Sequence, residues 1–256
     1  MKIDKSYIEK IFKKCGVSQG DNLFLHCDAI VTASIEGIDF TQKANTLFDG
    51  IIEVLGPDGT LILPTFTYSA TNGEVYNVQK TTSKVGLLTE HFRNRIGVKR
   101  SCNPIFSVAA FGKNAEKYAL SSFVDCFGDA TCFDLLLKQN SWIFTLGCSF
   151  DRITFIHYVD QIAGVNHRFF KTFPAKVINN NFLNYYDIRY YVRDLERQTI
   201  TKLDKLKERL DKKEKLHKAE FGRFLLTGVT ANDFYKEALA MIKEKPNIHI
   251  EEGYAI

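Results

Sequence analysis

The chain has no long apolar run. Nothing in its 256 residues approaches the roughly 18–20 consecutive apolar residues of a membrane span, which excludes a transmembrane helix. The opening Met1-Lys-Ile-Asp-Lys5 lacks the apolar core of a signal peptide and instead starts an amphipathic helix, so a cytoplasmic protein is expected. Paired cysteines are missing too. The six that occur, at 15, 27, 102, 126, 132 and 148, show no CxxC spacing and read as reduced thiols rather than disulfides or a zinc site. No three histidines or carboxylates have metal-ligand spacing, so no metal is expected. A strong charge of one sign is also absent. The 34 Lys and Arg against 30 Asp and Glu leave +4, too little for a nucleic-acid footprint but compatible with an anionic small ligand. The glycines of Gly56-Pro-Asp-Gly59 have neither phosphate-loop nor dinucleotide spacing, and there are no internal repeats.

What is present is 45% hydrophobic and 25% charged sequence, enough for a globular domain. Helical periodicity covers 7–15, 40–55, 86–95, 115–121, 131–138 and 231–245. Asp21 to His26, Thr60 to Pro64, Ser107 to Phe111 and the run from Trp142 read as buried strands. This alternation predicts an α/β sandwich, one domain spanning 1–256. Between Arg193 and Lys218, Leu195, Leu203, Leu206, Leu210 and Leu216 stand among Lys, Glu and Asp, which predicts an exposed, charged helical arm packed on the body or on a partner subunit.

The stretch Ile153 to Asp160 concentrates the chemistry. After a strand closed by Gly147, Asp151 or Thr154 can cap a helix on which His157 and Asp160 project from one face. Asp160 can accept the proton of one imidazole nitrogen and leave the other free as a base. The same spacing equally serves a histidine tied to its neighbour for stability. Cys27 adjoins His26 in a strand, where the two side chains point to opposite faces, so a thiol nucleophile there lacks its base. His91, His217 and His249 lie in polar surroundings and read as surface residues, while His167 beside Arg168 is a candidate for the acceptor side.

Eight segments, in order, resemble the aminoglycoside 3-N-acetyltransferase family. They are Gly20 to His26, Leu55 to Tyr68, Gly86 to Arg93, Gly97 to Pro104, Ser107 to Gly112, Phe127 to Thr131, Thr154 to Asp160 and Arg168 to Lys171, and Phe221 to Lys243 looks like the family's C-terminal helix. The resemblance implies an α/β/α sandwich, an acyl-CoA such as acetyl-CoA as co-substrate, and acyl transfer to a primary amine. It makes His157 the base and Asp160 its orienter. It assigns CoA binding to His26, Cys27, Asp28, Arg100, Ser101 and Asn103, and the acceptor or the developing oxyanion to Thr65, Thr67, Tyr68, Glu90 and Arg168. The chain departs from the family at Cys27-Asp28, where two serines are usual, at Asn103, where a histidine is usual, and at Asp160, where a glutamate is usual.

Aminoglycosides are polycations and require acidic pockets. The basic balance of this chain points instead to an amine on a sugar carrying negative charge, such as a nucleotide-linked amino sugar on the way to a surface polysaccharide. The alternatives are an aminoglycoside acetyltransferase, a non-catalytic relative serving as a binding module, and a thiol-dependent hydrolase using Cys27. Homo-oligomerisation is compatible with the sequence.

Overall fold

A computed structural model describes residues 3–194, 196 and 199–252. The first half of the chain runs α1 (Lys5–Lys14), β1 (Asn22–Cys27), α2 (Phe40–Leu55), β2 (Thr60–Pro64), β3 (Val75–Asn77), α3 (Leu87–Arg93), β4 (Lys99–Arg100), β5 (Val108–Gly112) and α4 (Ala115–Ala119). It continues with α5 (Cys132–Lys138), β6 (Trp142–Leu146), α6 (Ile156–Ala163), β7 (Arg168–Asn179), β8 (Phe182–Arg193) and β9 (Thr199–Thr201). The last elements are α7 (Asp204–Lys212), β10 (His217–Phe221), β11 (Phe224–Thr230), α8 (Ala231–Glu244) and β12 (Ile250–Glu252).

Seven strands form the central sheet in the order β10-β11-β6-β1-β2-β5-β4, with β1 parallel to both β2 and β6 and the outer strands antiparallel. Alternation along a strand divides the interior in two. Leu23, Leu25, Leu61 and Leu63 join Ile8, Phe12, Leu47, Phe48, Ile51 and Phe92 of α1, α2 and α3 on one face. Phe24 and Ile62 face the other way, toward Phe133, Ile156, Val159, Leu206, Leu210 and Phe234 of α5 to α8. Burial on both faces explains why β1, β2 and β6 are continuous apolar runs. The expected α/β/α sandwich is therefore the observed one.

The expected helices and strands recur within a few residues, with α2 and β2 matching end to end. Four readings need correction. First, α6 is not capped by Asp151 or Thr154: Ser149 caps a separate 3-10 turn, Phe150–Arg152, and α6 begins after it at Ile156. Second, Arg193 to Lys218 is no single helix. Arg193 ends β8, Thr199–Thr201 is β9, only Asp204–Lys212 is helical, and His217 opens β10. Leu203, Leu206, Leu210 and Leu216 are buried. Their neighbours' charges are answered on α8, where Glu237 accepts from Arg209, Lys213 and Lys215. Leu195 lies outside the described residues. Third, within Phe221 to Lys243, Phe221 ends β10, Phe224–Thr230 is strand β11, and the helix is Ala231–Glu244. Fourth, His249 is buried and bonded to the Ala238 carbonyl, not exposed.

The sequence reading missed the longest strands. β7 and β8 pair antiparallel from Arg168 with Arg193 to Asn179 with Phe182. Asn180 and Asn181 form the two-residue turn between them, both at positive φ (48° and 66°), as a type I′ hairpin requires. This hairpin folds over the sheet and brings Tyr190 and Arg193 back beside Arg168. The sandwich layer carrying α7 is open to a direct test. Leu210→Ala should lower unfolding free energy by about 2–5 kcal/mol, whereas Lys212→Ala on the exposed side should stay within about 0.5 kcal/mol. Equal, small losses in a urea titration of both variants would make α7 the loosely attached arm that its charge suggested.

Candidate active site

The parallel strands β6, β1 and β2 end together, and a cavity of about 940 Å³ lies beyond those ends. That is the usual location of a ligand site in an open α/β sheet. His26, Cys27, Asp28 and Pro64 come from the strand ends, and Cys148 to Arg152 from the loop after β6. His157 and Thr154 come from the α6 region, Arg168, Tyr190 and Arg193 from the hairpin, and Lys202 from just after β9. Gly147 lets these loops approach: it sits at φ +71°, and a Cβ there would lie 2.3 Å from Val31 Cγ1 in the 3-10 turn that follows β1.

His157, Asp160 and Arg168 form a connected set. Arg168 donates from Nη2 to His157 Nδ1 (2.7 Å), from Nε to Asp160 Oδ2 (2.9 Å) and from Nη1 to the Tyr191 carbonyl (3.2 Å). His157 Nδ1 is 3.7 Å from Asp160 Oδ2, too far for a hydrogen bond. The direct imidazole–carboxylate bond expected from the helical spacing is thus replaced by one relayed through Arg168. The cause is position: Arg168 opens β7 with its side chain 4% exposed, so its guanidinium must find its acceptors in the α6 face. Burial, followed by the Arg168 cation, pushes the His157 imidazole down to about 4, with Asp160 opposing. Burial alone would raise the Asp160 carboxyl, but His157 and Arg168 outweigh it and hold it low. The imidazole is therefore neutral near pH 7, with about a fifth of the side chain accessible from the cavity.

Tyr68 also reaches the cavity, at φ 57°, an uncommon conformation for a bulky residue. Neighbouring bonds hold it there. Tyr68 N–H donates to the Ile105 carbonyl, Thr67 Oγ1 to the Pro104 carbonyl, and Ser69 Oγ to Thr67 Oγ1. His26 lines the wall but is 5% exposed, and burial drives it down to about 3, so it carries no positive charge for a phosphate. Burial pushes the Cys27 thiol far up and that of Cys148 up to about 11, so neither is a ready nucleophile.

The remaining expected ligand residues lie away from the cavity. Arg100 donates through Nε to Thr65 Oγ1 (3.1 Å), through Nη2 to the Thr65 carbonyl (2.7 Å) and through Nη1 to the Thr81 and Val78 carbonyls (2.5 and 3.2 Å). It also lies over the Tyr76 ring. This arginine is an internal clamp rather than part of a solvated turn, and its donors face protein acceptors and not the cavity. Ser101 Oγ accepts from Val108 N–H, and Asn103 Oδ1 accepts from Ile105 and Phe106 N–H, which shapes the buried turn before β5. Thr65 and Thr67 are bonded to Ser107 and Pro104 carbonyls, and Glu90 is paired with Arg93 and Ser83 N–H. His167 is buried against Asn247. None of these side chains lines the cavity.

Lys84, Arg152, Tyr190, Arg193 and Lys202 were not foreseen. The Asn180-Asn181 hairpin signal could have brought Tyr190 and Arg193 to the site, since it folds β8 back along Arg168. Lys84 and Arg152 sit in loops without a motif. Among the described residues no cluster of three His, Cys, Asp or Glu is arranged to hold a metal ion, and no helix is long and apolar enough to cross a membrane.

Fold and cavity together are those of a known class of acyl-transfer enzymes. The family model for aminoglycoside 3-N-acetyltransferase matches residues 30–243. The chain belongs to this family and is an N-acyltransferase that takes its acyl group from an acyl-CoA. A curated relative, the aminoglycoside N(3)-acetyltransferase III of Pseudomonas aeruginosa, is 23% identical over 194 residues, covering 68% of this chain and 70% of the relative. Among solved structures, the apoenzyme of the aminoglycoside acetyltransferase AAC(3)-IVa superposes with TM-score 0.79 at 20% identity, covering 97% of this chain and 92% of its own. AAC-IIIb, solved as a binary complex with CoASH, gives TM-score 0.81 at 14% identity, covering 96% and 98%.

The Arg100 clamp yields a prediction opposite to its expected role. Arg100→Met should lower unfolding free energy by about 1.5–3 kcal/mol, because buried carbonyls lose a charged donor. The folded variant should keep its KM for acyl-CoA within about twofold. A raised KM with unchanged stability would return Arg100 to the ligand site.

Proposed function

We propose that this enzyme acetylates the primary amine of a small, negatively charged sugar, most simply a nucleotide-linked amino sugar, with acetyl-CoA as donor. The observation that supports this is the charge of the cavity wall. Lys84, Arg152, Arg168, Arg193 and Lys202 line it, against the carboxylates of Asp28 and Asp151. Both Asp151 oxygens are already engaged, by Ser149 Oγ and Leu203 N–H, and Asp28 Oδ1 accepts from Ile30 N–H. These two carboxylates keep their charge but are outnumbered on the wall by lysine and arginine, which disfavours a polycation. The volume, near the upper end for small-molecule sites, suits a pantetheine arm and a sugar together.

In this reading the amine lone pair attacks the thioester carbonyl carbon, the C–N bond forms, and the C–S bond breaks as CoA leaves as thiolate. The proton lost by the amine passes to His157 and from there to the departing sulfur. His157 is the catalytic group because its ring is the basic side chain that is both neutral near pH 7 and open to the cavity. In the free enzyme Asp160 reaches the ring through Arg168. Asp28, with one oxygen uncommitted, is placed to receive the substrate ammonium before it loses its proton. The second reading, acetylation of an aminoglycoside, has the curated relative's name in its favour.

His157→Ala should reduce N-acyl transfer by about 10²–10⁴ while CoA binding persists by calorimetry. Transfer within about tenfold of the native rate would remove the imidazole from the mechanism. Amino-sugar nucleotides should be turned over with higher kcat/KM than aminoglycosides, and their KM should rise with salt as screening shortens to about 8 Å at 0.15 M. Efficient acetylation of aminoglycosides with no turnover of any sugar nucleotide would establish the second reading instead.

A further inference from the structure

The Arg168 contact fixes more than the position of His157. A guanidinium has only N–H donors and does not give one up in a protein. At 2.7 Å from Nη2, His157 Nδ1 can only be the acceptor, and in a neutral ring the single proton must then sit on Nε2. The expected base has the opposite arrangement, with the proton on Nδ1 held by a carboxylate and the Nε2 lone pair directed at the substrate. Here the carboxylate stands 3.7 Å from Nδ1, with the arginine's Nε bonded to the same Oδ2.

We propose that Arg168 is the positioning residue that sets the tautomer of His157, holding the free enzyme in the Nε2–H form and withholding the base until Nη2 releases Nδ1. The inference rests on the reading of His157 as the proton acceptor in acyl transfer. The guanidinium is a rigid fork, so with Nε on Asp160 and Nη1 on the Tyr191 carbonyl the separation comes from the imidazole turning away from Nη2, and neither anchor is lost. The Nε2 proton then leaves to solvent, another binds Nδ1, and Asp160 Oδ2 accepts it as the 3.7 Å gap closes; the net proton count is unchanged. Arg168 lines the cavity, so an anionic group entering beside it competes for the same guanidinium.

The charged and titratable groups around the imidazole are Asp160 on its own helix, Arg168 from β7 and His167 just before it, with Asp28, Asp151 and Arg152 along the cavity wall. Of the first three, Arg168 and His167 disfavour the imidazolium and Asp160 favours it. Burial still lowers the imidazole, but removing the arginine cation takes away the second cause of its depression, so the ring shifts upward and Asp160 can bond Nδ1–H directly. The acidic limb of kcat/KM, below which His157 is protonated and inactive, moves to higher pH.

The test is ¹⁵N NMR of the ring nitrogens in the ligand-free native enzyme, near neutral pH and with histidine ¹⁵N-labelled. The expected result is a proton-bearing Nε2 and an unprotonated Nδ1 for His157, assigned against His157→Ala. A proton on Nδ1 would overturn the proposal, and this arm needs no Arg168 variant to fold. In Arg168→Met the ring should change tautomer and the acidic limb should rise by at least one pH unit. Arg168→Lys, which keeps the charge, should leave the limb nearer the native position. A limb unmoved in Arg168→Met, with only the rate reduced, would make the arginine structural and also overturn the proposal. Failure of every amine tested as acceptor would instead strike the acyl-transfer reading, and the tautomer measurement would stand independently.

Discussion

The buried ion pair between Arg168 and Asp160 is the constraint on which the site depends. Both side chains are almost wholly enclosed, at 4% and 5% exposure, and a lone charge there would be costly. Pairing them ties the first residue of the long hairpin to the helix after β6. The hairpin in turn supplies one wall of the cavity through Tyr190 and Arg193. The third donor of the same guanidinium holds the Tyr191 carbonyl, so the two hairpin strands are fastened at the point where they leave the sheet layer. One buried cation thereby fixes the wall, the carboxylate and the imidazole. Losing Asp160 would leave the guanidinium buried without its counter-ion, and losing Arg168 would leave Asp160 with the imidazole as its neighbour.

The middle of the central sheet, β6, β1, β2 and β5, was legible from sequence because these strands are short apolar runs between glycines and prolines, whereas its partly exposed outer strands β4, β10 and β11 were not. The helices on each side were legible because each presents one apolar stripe. Legibility failed where burial is one-sided. β7 and β8 mix aromatic with charged and polar residues and belong with β3 to a separate three-stranded sheet, so no continuous apolar run marks them. The 193–218 region misled because its leucines are spaced for a helix while its backbone is shared between two strands and one short helix. At the site, helical spacing put His157 and Asp160 on one face of α6. Arg168 was expected on the acceptor or oxyanion side; that it stands between the two was not legible, because a contact from β7 to α6 has no local pattern. Arg100 misled in the opposite way. A basic residue in a family segment looks like a ligand contact until its donors are seen to face four protein acceptors.

Family membership and charge pull differently on the identity of the acceptor. The chain shares its fold and its acyl donor with enzymes named for aminoglycosides, yet its cavity gathers lysine and arginine from four separate segments. The preference proposed above for an anionic acceptor rests on that wall, since like-signed charge lining a cleft raises the local concentration of the opposite ion. Asp28, standing where the family has serine, is the compensating feature. A single carboxylate at the strand end can hold one ammonium in place without making the whole cavity attractive to several.

The pairing of β1 sets an order on assembly of the chain. Its neighbours in the sheet are β2, close in sequence, and β6, where Leu23 meets Trp142 and Cys27 meets Leu146. On the ribosome, β1 and β2 emerge long before β6, so Leu23, Leu25 and Phe24 have one open edge during much of synthesis. Parallel pairing across such a separation is slow, and an unpaired apolar edge is prone to associate with other chains. The α1 and α2 helices, which pack on one face early, cover part of this surface while the edge waits. Pairing of β6 with β1 is therefore the step that closes the middle of the sheet, and it joins the two halves of the chain.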